Sequence, residues 1–504
     1  MNGTNGHHAA PQTLRRADEV EDLLDAVKGL IVPYIKAADD AATQKVNGNT
    51  SVNIEGVPSN VLVDTQKPET LVEKLKVSLP EGHGLGKEGL LDAVQKVLRY
   101  SVNTWDQGFM DKLRFWSVPR LHTRLTPWQS HVYQVSPALT VIEKITARKF
   151  ANLFGFTGPR AGGITCQGGS SSNLTSLVVA RSALYPETKA SGNGSHDFAV
   201  FTSAHGHYSV EKSALTCGLG ASSVWAVPVD SAGRMIPDAL RELVVRAKSE
   251  GKTPLYVNAT AGTTVMGSYD PFEEISSICK EFNMWFHIDA SWGGPVAFSK
   301  KQRSKLKGSH LADSLTVNPH KMMNVPVTCS FLLTPDEKVF HKANTLPAGY
   351  LFHNVDQGDD VWDLADLSLQ CGRRGDSLKL ALAWIYYGAG GFERQIDHAF
   401  SLAEHLATLV EKSDNFVLVS SNPPPCLQVC FYYAPNGQLA TEPKTNTKRT
   451  SEMVAKLIQR GFMIDYAPGE KGSFFRVVVN CQTLKGTVDG LVKALEEVGK
   501  EVVV

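Results

Sequence analysis

The sequence lacks the features that would direct it to a membrane or a nucleic acid. No apolar run approaches the ~20 residues that a transmembrane helix needs. Lys and Arg together number 51, as do Asp and Glu, so no net charge attracts the chain to nucleic acid or to a lipid surface. The N-terminal stretch MNGTNGHHAAPQTLRRADE has no apolar core and does not match a secretory signal. We therefore expect a cytoplasmic protein with no membrane or nucleic-acid partner.

The chain also lacks the motifs of metal and nucleotide sites. Its eight cysteines are scattered and most lie in apolar runs such as TCSFLL, which is typical of reduced core cysteines. Cys426 and Cys430 are four residues apart, but no second Cys or His pair completes a zinc site. No Walker loop is present. The stretch GHGLGKEG contains a GxGxxG spacing at Gly84, Gly86 and Gly89, but no strand precedes it and its spacing is wrong for a P-loop, so we interpret it as an ordinary loop. We expect no bound metal.

Hydrophobic spacing divides the 504 residues into four parts. We expect a disordered leader over residues 1–18 and a helical segment over 19–105, which includes VEDLLDAVKGLIVPYIKAAD. Over 106–390, strand-like runs such as DFAVFTS, PLYVNATAG, MWFHIDA and SLTVN alternate with helices. That alternation predicts an α/β domain with a mostly parallel sheet and helices on both faces. A smaller α+β domain is expected over 391–504.

One helix start has a well-defined capping pattern. In YDPFEEISSICKEF, Asp270 is a suitable N-cap, Pro271 suits the first turn and Glu273 completes a capping box. The sequence therefore predicts a helix that begins there, with the Asp270 side chain as its cap.

Lys321 stands at the end of a predicted strand in SLTVNPHKMMNVP. Apolar neighbours such as Met322, Met323 and Val325 do not stabilise a solvated, charged lysine. They do favour a lysine that acts as an uncharged nucleophile, because desolvation lowers its pKa. Taken alone, a lysine after a strand is more often a surface residue, so this interpretation depends on its companions.

Those companions are polar residues at other strand ends. Asp289 follows a buried strand in WFHIDASWGGP, where an ionised carboxylate needs a cation. In CQGGSSSNLT, the glycines and Ser170–Ser172 open a helix whose N-terminus favours an anion. His207 can stack on a flat ring, and Thr260 adds a hydroxyl. Each could be an ordinary cap or turn residue, but together they fit pyridoxal phosphate, which needs a Schiff-base lysine, an acid at its pyridine nitrogen and a phosphate cradle.

Longer blocks carry a family resemblance. YVNATAGTTVMGSYDPF, WFHIDASWGG, NPHKMM, LPAGYLF, LQCGRRGDSLKL and FFRVVV follow one another from about residue 130 to the end. The chain resembles the group II pyridoxal-phosphate-dependent amino-acid decarboxylases, most closely the glutamate decarboxylase and cysteine sulfinate decarboxylase branch. The resemblance implies a type I aminotransferase-like fold with a sheet of the seven-stranded type. It also implies a cytosolic homodimer with active sites at the subunit interface.

The resemblance assigns a role to each matching residue. Lys321 is the Schiff-base lysine, Asp289 pairs with the pyridinium nitrogen and His207 stacks on the ring. Ser171 and Ser172 bind the phosphate with the help of His320, while Thr260 lies near the ring hydroxyl. Tyr350 in PAGYLF returns a proton to the substrate after carbon dioxide leaves, and Arg476 in FFRVVV binds a substrate carboxylate.

The implied reaction is decarboxylation of an L-amino acid to an amine, with glutamate, aspartate or cysteine sulfinate as the expected substrate. Segment Leu113–Ser130 departs from the family, which has small and acidic residues there, because it contains Arg114, Arg120 and Arg124 and no acid. Three alternatives stay open: an aromatic substrate, another type I pyridoxal-phosphate reaction such as transamination or carbon–carbon lysis, and a catalytically inactive homodimer.

Overall fold

A computed structural model describes residues 16–46, 66–102, 129–130, 133, 136–346 and 361–502. Helices α1 to α13 span Arg16–Val46, Pro68–Leu75, Gly86–Tyr100, Pro137–Leu153, Gly169–Leu184, Thr188–Ser191, Ser209–Thr216, Pro237–Ser249, Phe272–Glu281, Lys338–Asn344, Ser377–Lys412, Pro443–Gln459 and Lys485–Glu501. Strands β1 to β13 span Gln129–Ser130, Gly162–Cys166, Phe198–Ser203, Val224–Val227, Thr253–Thr260, Trp285–Asp289, Ser314–Val317, Ser330–Thr334, Arg373–Arg374, Phe416–Leu418, Gln428–Tyr433, Asp465–Ala467 and Phe474–Val478. Short 3₁₀ helices span Ala221–Ser223, Gly294–Phe298, Arg303–Leu306, Ser309–Leu311, Leu364–Leu367 and Pro435–Gly437.

The large sheet has seven strands in the order β2-β8-β7-β6-β5-β3-β4. Strand β8 runs antiparallel to its neighbours β2 and β7, and the other pairs are parallel. Strands β2, β3, β6, β7 and β8 are buried along their whole length. Continuous apolar runs are typical of a sheet that is covered on both faces. The predicted α/β class and mostly parallel sheet are confirmed.

Each face of this sheet packs into its own apolar core. Val200 and Phe201 are neighbours in β3, yet they belong to different core clusters because successive side chains point to opposite faces. The cluster that contains Phe201 extends through α4 and α11 into the smaller domain. Helix α5 packs on the other face, against β2, β5, β6, β7 and β8. It thereby places its N-terminus beside the ends of these strands.

The C-terminal part of the chain forms an antiparallel sheet in the order β10-β11-β13-β12, packed against α11 and α12. The division of the chain into a smaller α+β domain over 391–504 stays a prediction. Strands β1 and β9 form a separate antiparallel pair. None of the helices in the described ranges is long and apolar enough to cross a bilayer.

Helix α11 joins the two domains and is interrupted at Gly388. Gly388 has φ 68° and ψ 165°, and a Cβ there would lie 2.3 Å from the carbonyl oxygen of Gly82. The amides that follow the break, those of Ala389 and Gly390, donate to the carbonyl oxygens of Pro80 and Gly82 at 2.9 Å. Only glycine combines this positive φ with such close backbone contact. The expected boundary at residue 391 falls just after this break.

The capping prediction for Asp270 is wrong. Helix α9 begins at Phe272 after Pro271, and no side chain caps it. The two Asp270 carboxylate oxygens instead accept hydrogen bonds from the amides of Met235 and Thr260, both at 2.7 Å. These amides are buried donors from distant parts of the chain, and a buried donor without a partner is costly. Asp270 therefore fixes the end of β5, and burial raises its pKa to about 6.

Candidate active site

A cavity of about 200 Å³ opens at the carboxyl ends of the large sheet's parallel strands. Its lining includes five residues predicted from the sequence: His207, Thr260, Asp289, His320 and Lys321. They follow or end strands β3, β5, β6 and β7. These residues therefore share one cavity at the edge where ligands bind in open α/β sheets.

Lys321 lies in the turn after β7, where its amide donates to the carbonyl oxygen of Asn318 at 3.0 Å. Its side chain is exposed to the cavity, whereas Met322, Met323 and Val325 are buried in the core. These apolar neighbours anchor the turn and do not cover the amine. Desolvation by the cavity walls nevertheless lowers the pKa of Lys321, and the negative charge of Asp289 opposes this shift. The pKa shift has the predicted direction, and it increases the neutral, nucleophilic fraction of the amine.

The carboxylate of Asp289 is buried at the end of β6. Its Oδ1 accepts from the amide of Ser291 at 3.0 Å, and its Oδ2 accepts from Nδ2 of Asn173 at 2.8 Å. Burial alone raises the pKa of Asp289, but the positive charge on Lys321 and these hydrogen bonds outweigh it, so the pKa is lowered. A charged, buried acceptor therefore faces the cavity.

His207 lies between the end of β3 and the start of α7. Its Nδ1 accepts from the amide of Ser209 at 3.2 Å, and its ring lies 4.4 Å from the ring of Tyr208, centroid to centroid. Burial is the main cause that lowers the pKa of His207. A neutral imidazole held by a backbone donor is suited to stacking on a flat ring. His205 lines the same cavity, and burial lowers its pKa too.

The glycine–serine loop brings the start of α5 to the cavity. Gly168 has φ 96°, and a Cβ on Gly169 would lie 2.7 Å from Ser291 Oγ and from Asn318 Nδ2. Only glycine lets the helix start so close to this wall. Gly169 and Ser170 line the cavity, and their amides are in the first turn, which a helix leaves without intrahelical partners. An anion would be favoured there.

Ser171 and Ser172, which the family resemblance assigned to the phosphate, do not line this cavity. Both amides donate to the carbonyl oxygen of Gly168. The Ser172 side chain is fully buried, and its Oγ lies 2.8 Å from Ser330 Oγ in β8. The residues of this loop that line the cavity are Gly169 and Ser170, one or two positions earlier, and the phosphate role of Ser171 and Ser172 stays a prediction. The run of three serines gave no signal that distinguishes which of them faces the site.

Two buried polar atoms at the cavity have no hydrogen-bond partner among the residues that the structure describes: Thr260 Oγ1 and Asn318 Oδ1. Both residues line the cavity, and a buried polar atom without a partner is costly. His320 lies beside them, with Nδ1 2.6 Å from the carbonyl oxygen of Cys329, and burial lowers its pKa. Atoms of this kind are suited to a polar ligand that completes their hydrogen bonds.

Arg476 lies on β13 of the smaller domain, beside the cavity wall but not in its lining. Its Nη1 donates to the carbonyl oxygen of Thr264, a lining residue, at 3.3 Å, and its Nη2 lies 2.7 Å from Asp465 Oδ2. Its Nε is buried and has no partner within the described part of the chain. The guanidinium therefore retains hydrogen-bonding capacity beside the site. Tyr350 and most of the segment Leu113–Ser130 lie outside the described residues, so their predicted roles stay predictions.

Sequence reasoning missed Asn173, which binds Asp289 directly, and the contact between domains at Gln428. Asn173 is four residues after Gly169, so it lies on the same helix face, and that spacing was the available signal. Gln428 accepts from Trp292 Nε1 and donates to the carbonyl oxygen of Thr263, both at 2.9 Å. No local pattern indicated Gln428, because its partners lie more than a hundred residues away.

Comparison with known proteins identifies the family. Residues 68–434 match the model of the pyridoxal-dependent decarboxylase conserved domain. The chain belongs to this family. L-aspartate decarboxylase dtxS4 of Metarhizium robertsii is 59% identical over 495 residues, which cover 97% of this chain and 99% of that protein. A glutamate decarboxylase-like protein of Gibberella zeae is 38% identical over 489 residues, which cover 88% and 94%.

Solved structures agree with the pyridoxal-dependent decarboxylase fold. Mouse CSAD has a TM-score of 0.71 and 33% identity, with 96% of this chain and 99% of that chain covered. Oryza sativa TDC, solved with PLP and tryptamine, has a TM-score of 0.70, with 98% of this chain and 99% of that chain covered. Because the sequence identity is only 21%, this likeness shows the fold alone. The predicted aminotransferase-like fold is confirmed.

The residues at the cavity fit pyridoxal phosphate, the cofactor of this family. An amine, a buried carboxylate and an imidazole face one space, with a helix N-terminus at its edge. The unpartnered Thr260 Oγ1 and Asn318 Oδ1 are suited to a polar ligand. The chain is thus a pyridoxal-phosphate-dependent carboxy-lyase of amino-acid metabolism, as the sequence predicted.

Proposed function

We propose that this decarboxylase acts on an acidic amino acid, with L-aspartate as its preferred substrate and β-alanine as the product. The α-carboxylate leaves as carbon dioxide, the α-carbon gains one proton and the side-chain carboxylate is retained. The 59% identity to an L-aspartate decarboxylase over almost the whole chain carries this proposal. Arg476, a cation beside the cavity, provides independent physical support.

The cavity residues have distinct tasks in this proposal. Lys321 would hold the cofactor through its amine, and Asp289 would keep the pyridine nitrogen protonated. His207 would pack on the ring, while Gly169, Ser170 and His320 would hold the phosphate. When bound, pyridoxal phosphate supplies the electron sink that accepts the bonding electrons as carbon dioxide leaves. Asp289 supports this role because it is ionised and held by two donors.

Arg476 would bind the carboxylate that the substrate retains. A guanidinium binds carboxylates through paired hydrogen bonds, and Arg476 Nε has no partner. Its Nη1 donates to the carbonyl oxygen of Thr264 at the cavity wall, so a bound carboxylate would be held next to the site. The family role of Arg476 is compatible with this position.

Tyr350 would return the proton to the α-carbon. This role follows from its match to the family's PAGYLF block. A phenol that delivers a proton to one carbon prevents protonation at the cofactor, a side reaction that would inactivate it. Replacement by phenylalanine should favour that abortive reaction over amine release.

We also infer a cytoplasmic homodimer in which the N-terminal helical segment over residues 19–105 contacts a second copy of the chain. The family resemblance implies this assembly. Helix α1 supports it, because Val20, Leu24 and Val32 are each more than half exposed, with relative exposures of 53%, 57% and 54%. Light scattering during size-exclusion chromatography should give a dimer mass, and deletion of α1 should shift it towards the monomer.

The substrate assignment is tested by comparing kcat/KM for L-aspartate, L-glutamate, L-cysteine sulfinate and two aromatic amino acids on the purified, cofactor-loaded protein. We expect turnover of the acidic substrates, with L-aspartate highest. Release of amine and carbon dioxide from aromatic substrates alone would contradict the proposal. Absence of turnover from every amino acid would favour the inactive-homodimer alternative.

A further inference from the structure

Asp289 is the end of a chain of hydrogen-bonded, buried side chains that the known roles do not use. Trp285 Nε1 donates to Ser314 Oγ at 2.8 Å, and Ser314 Oγ lies 2.8 Å from His287 Nδ1. On the far side of the ring, His287 Nε2 lies 3.2 Å from Asn173 Oδ1, while Asn173 Nδ2 lies 2.8 Å from Asp289 Oδ2. Relative exposures are 6% or less throughout. We call these five residues the Asp289 relay.

The direction of every hydrogen bond in the relay follows from the groups at its two ends. Ionised Asp289 only accepts, so Asn173 must present its Nδ2 to Asp289 and its Oδ1 to His287. His287 Nε2 therefore carries the proton that it donates to Asn173. In a neutral ring Nδ1 is then an acceptor, and it accepts from Ser314. At the outer end Trp285 only donates, which leaves the Ser314 hydrogen available for His287.

The surroundings of His287 keep its ring neutral and fixed. His287 is fully buried, and burial lowers its pKa to about 4 although the charge of Asp289 opposes this. The ring stacks on Tyr256, with centroids 5.7 Å apart and planes 20° apart. The second Nδ2 hydrogen of Asn173 is taken by Ser209 Oγ at 2.9 Å. A turn of the imidazole would break two hydrogen bonds, and a turn of the amide would break three.

We propose that His287 is a positioning residue that sets the orientation of the Asn173 amide and so holds Asp289 ionised and aimed at the pyridine nitrogen of the cofactor. If the amide of Asn173 flipped, its oxygen would face the carboxylate and repel it. The relay thereby protects the charge that the reaction needs. The inference rests on the cofactor of the family and is independent of which amino acid is the substrate.

The test compares two replacements of His287. His287→Gln retains an N–H donor near the position of Nε2, whereas His287→Leu has a similar size and no donor. Affinity of each apoprotein for pyridoxal phosphate and the absorption spectrum of the bound cofactor are measured. We expect about tenfold or greater loss of affinity and a changed spectrum for His287→Leu, because a buried acceptor loses its donor. The expected loss for His287→Gln is within about threefold.

Two further variants separate the relay from packing. Ser314→Ala removes the hydrogen donated to Nδ1 with little change in volume, and it should reduce affinity by an amount between those of the two His287 variants. If His287→Leu does not fold, Ser314→Ala alone still tests the proposal. Tyr256→Phe is the matched control, because it keeps the ring that stacks on His287 and removes only the hydroxyl bonded to Ser176. Its affinity and spectrum should equal those of the wild type.

The proposal is overturned if His287→Leu and Ser314→Ala bind the cofactor with wild-type affinity and spectrum. It is also overturned if His287→Gln is as impaired as His287→Leu, since packing and not donation would then be the cause. These outcomes are distinct from a failure of the substrate assignment, which would leave cofactor binding by the wild type intact and abolish only the release of carbon dioxide from acidic amino acids.

Discussion

The region proposed to hold the cofactor and the region proposed to bind the substrate carboxylate are built differently, and we call them the cofactor wall and the substrate wall. On the cofactor wall, Asp289 is buried and bound by Asn173 and Ser291 within a larger network. On the substrate wall, Arg476 is partly exposed and its carboxylate partner Asp465 is 65% exposed. Replacing one residue of a buried network leaves its hydrogen-bond partners unsatisfied, whereas replacing one residue of a more exposed ion pair costs little free energy. We therefore propose that the reaction type depends on the buried cofactor wall, while the choice of substrate can vary at the more exposed substrate wall.

The largest effect is expected at the cofactor wall. Lys321→Ala should reduce kcat at least about a thousandfold and abolish covalent attachment of the cofactor, because the amine nucleophile is removed. Mass spectrometry after borohydride reduction reports the attachment. The matched control is Lys305→Ala, which removes a half-buried lysine whose Nζ lies 5.9 Å from the Tyr269 ring centroid, outside the cavity lining. Loss of covalent cofactor in the control as well would contradict the assignment of Lys321.

The next effect sharpens the contrast between the walls. Arg476→Ala should lower kcat/KM for L-aspartate about a hundredfold, since a charge-paired carboxylate loses its partner. Affinity for pyridoxal phosphate should stay unchanged, because Arg476 does not line the cavity. Asp465→Asn, at an exposed partner, should change kcat/KM less than about fivefold. Equal losses of cofactor affinity and of kcat/KM in Arg476→Ala would show that the two walls are not separable.

A third prediction concerns stability and pH. The unfolded chain protonates His287 near its ordinary pKa of 6.5, whereas burial keeps the folded pKa at about 4. Between these values the unfolded state binds more protons, so this histidine reduces the free energy of unfolding as pH falls. His287→Gln removes the titration. The stability gap between wild type and variant should therefore shrink from pH 6.5 towards pH 4 in urea unfolding of the apoproteins. A constant gap would contradict the buried, neutral state of His287.

The smallest effect is expected at the contact between the domains. Trp292→Phe removes the hydrogen bond to Gln428 and should cost about 1 kcal/mol of unfolding free energy. A double-mutant cycle with Gln428→Leu measures the coupling between the two side chains, expected at about 0.5–1.5 kcal/mol. A coupling near zero would show that this hydrogen bond does not stabilise the contact.

The sequence predicted the large sheet because its strands are buried on both faces and read as apolar runs that end in polar residues. The polar residues at the ends of these runs also led us to expect Thr260, Asp289 and Lys321 at one edge of the sheet. It could not predict that Asp270 binds the amides of Met235 and Thr260, because these partners come from elsewhere in the chain and compete with the local cap.

The sequence also could not predict which side chains on a helix face the cavity. Ser172 and Ser170 are two residues apart, yet one hydroxyl is buried against β8 and the other residue lines the cavity. The register of a helix against a sheet decides this, and three consecutive serines carry no information on register. Asn173 has the helical spacing that places it on the same face as Gly169, but its contact with Asp289 also depends on how α5 packs against β6, which the local sequence does not show.

The most direct test of the proposed reaction follows the two carboxylates of L-aspartate separately. The cofactor-loaded protein is given L-aspartate labelled with carbon-14 either at C1 or at C4, and labelled carbon dioxide and amine are measured. We predict that C1 label appears in carbon dioxide, that C4 label stays in β-alanine, and that the two products form in equal amounts. Release of C4 label as carbon dioxide, with alanine as the product, would contradict the account.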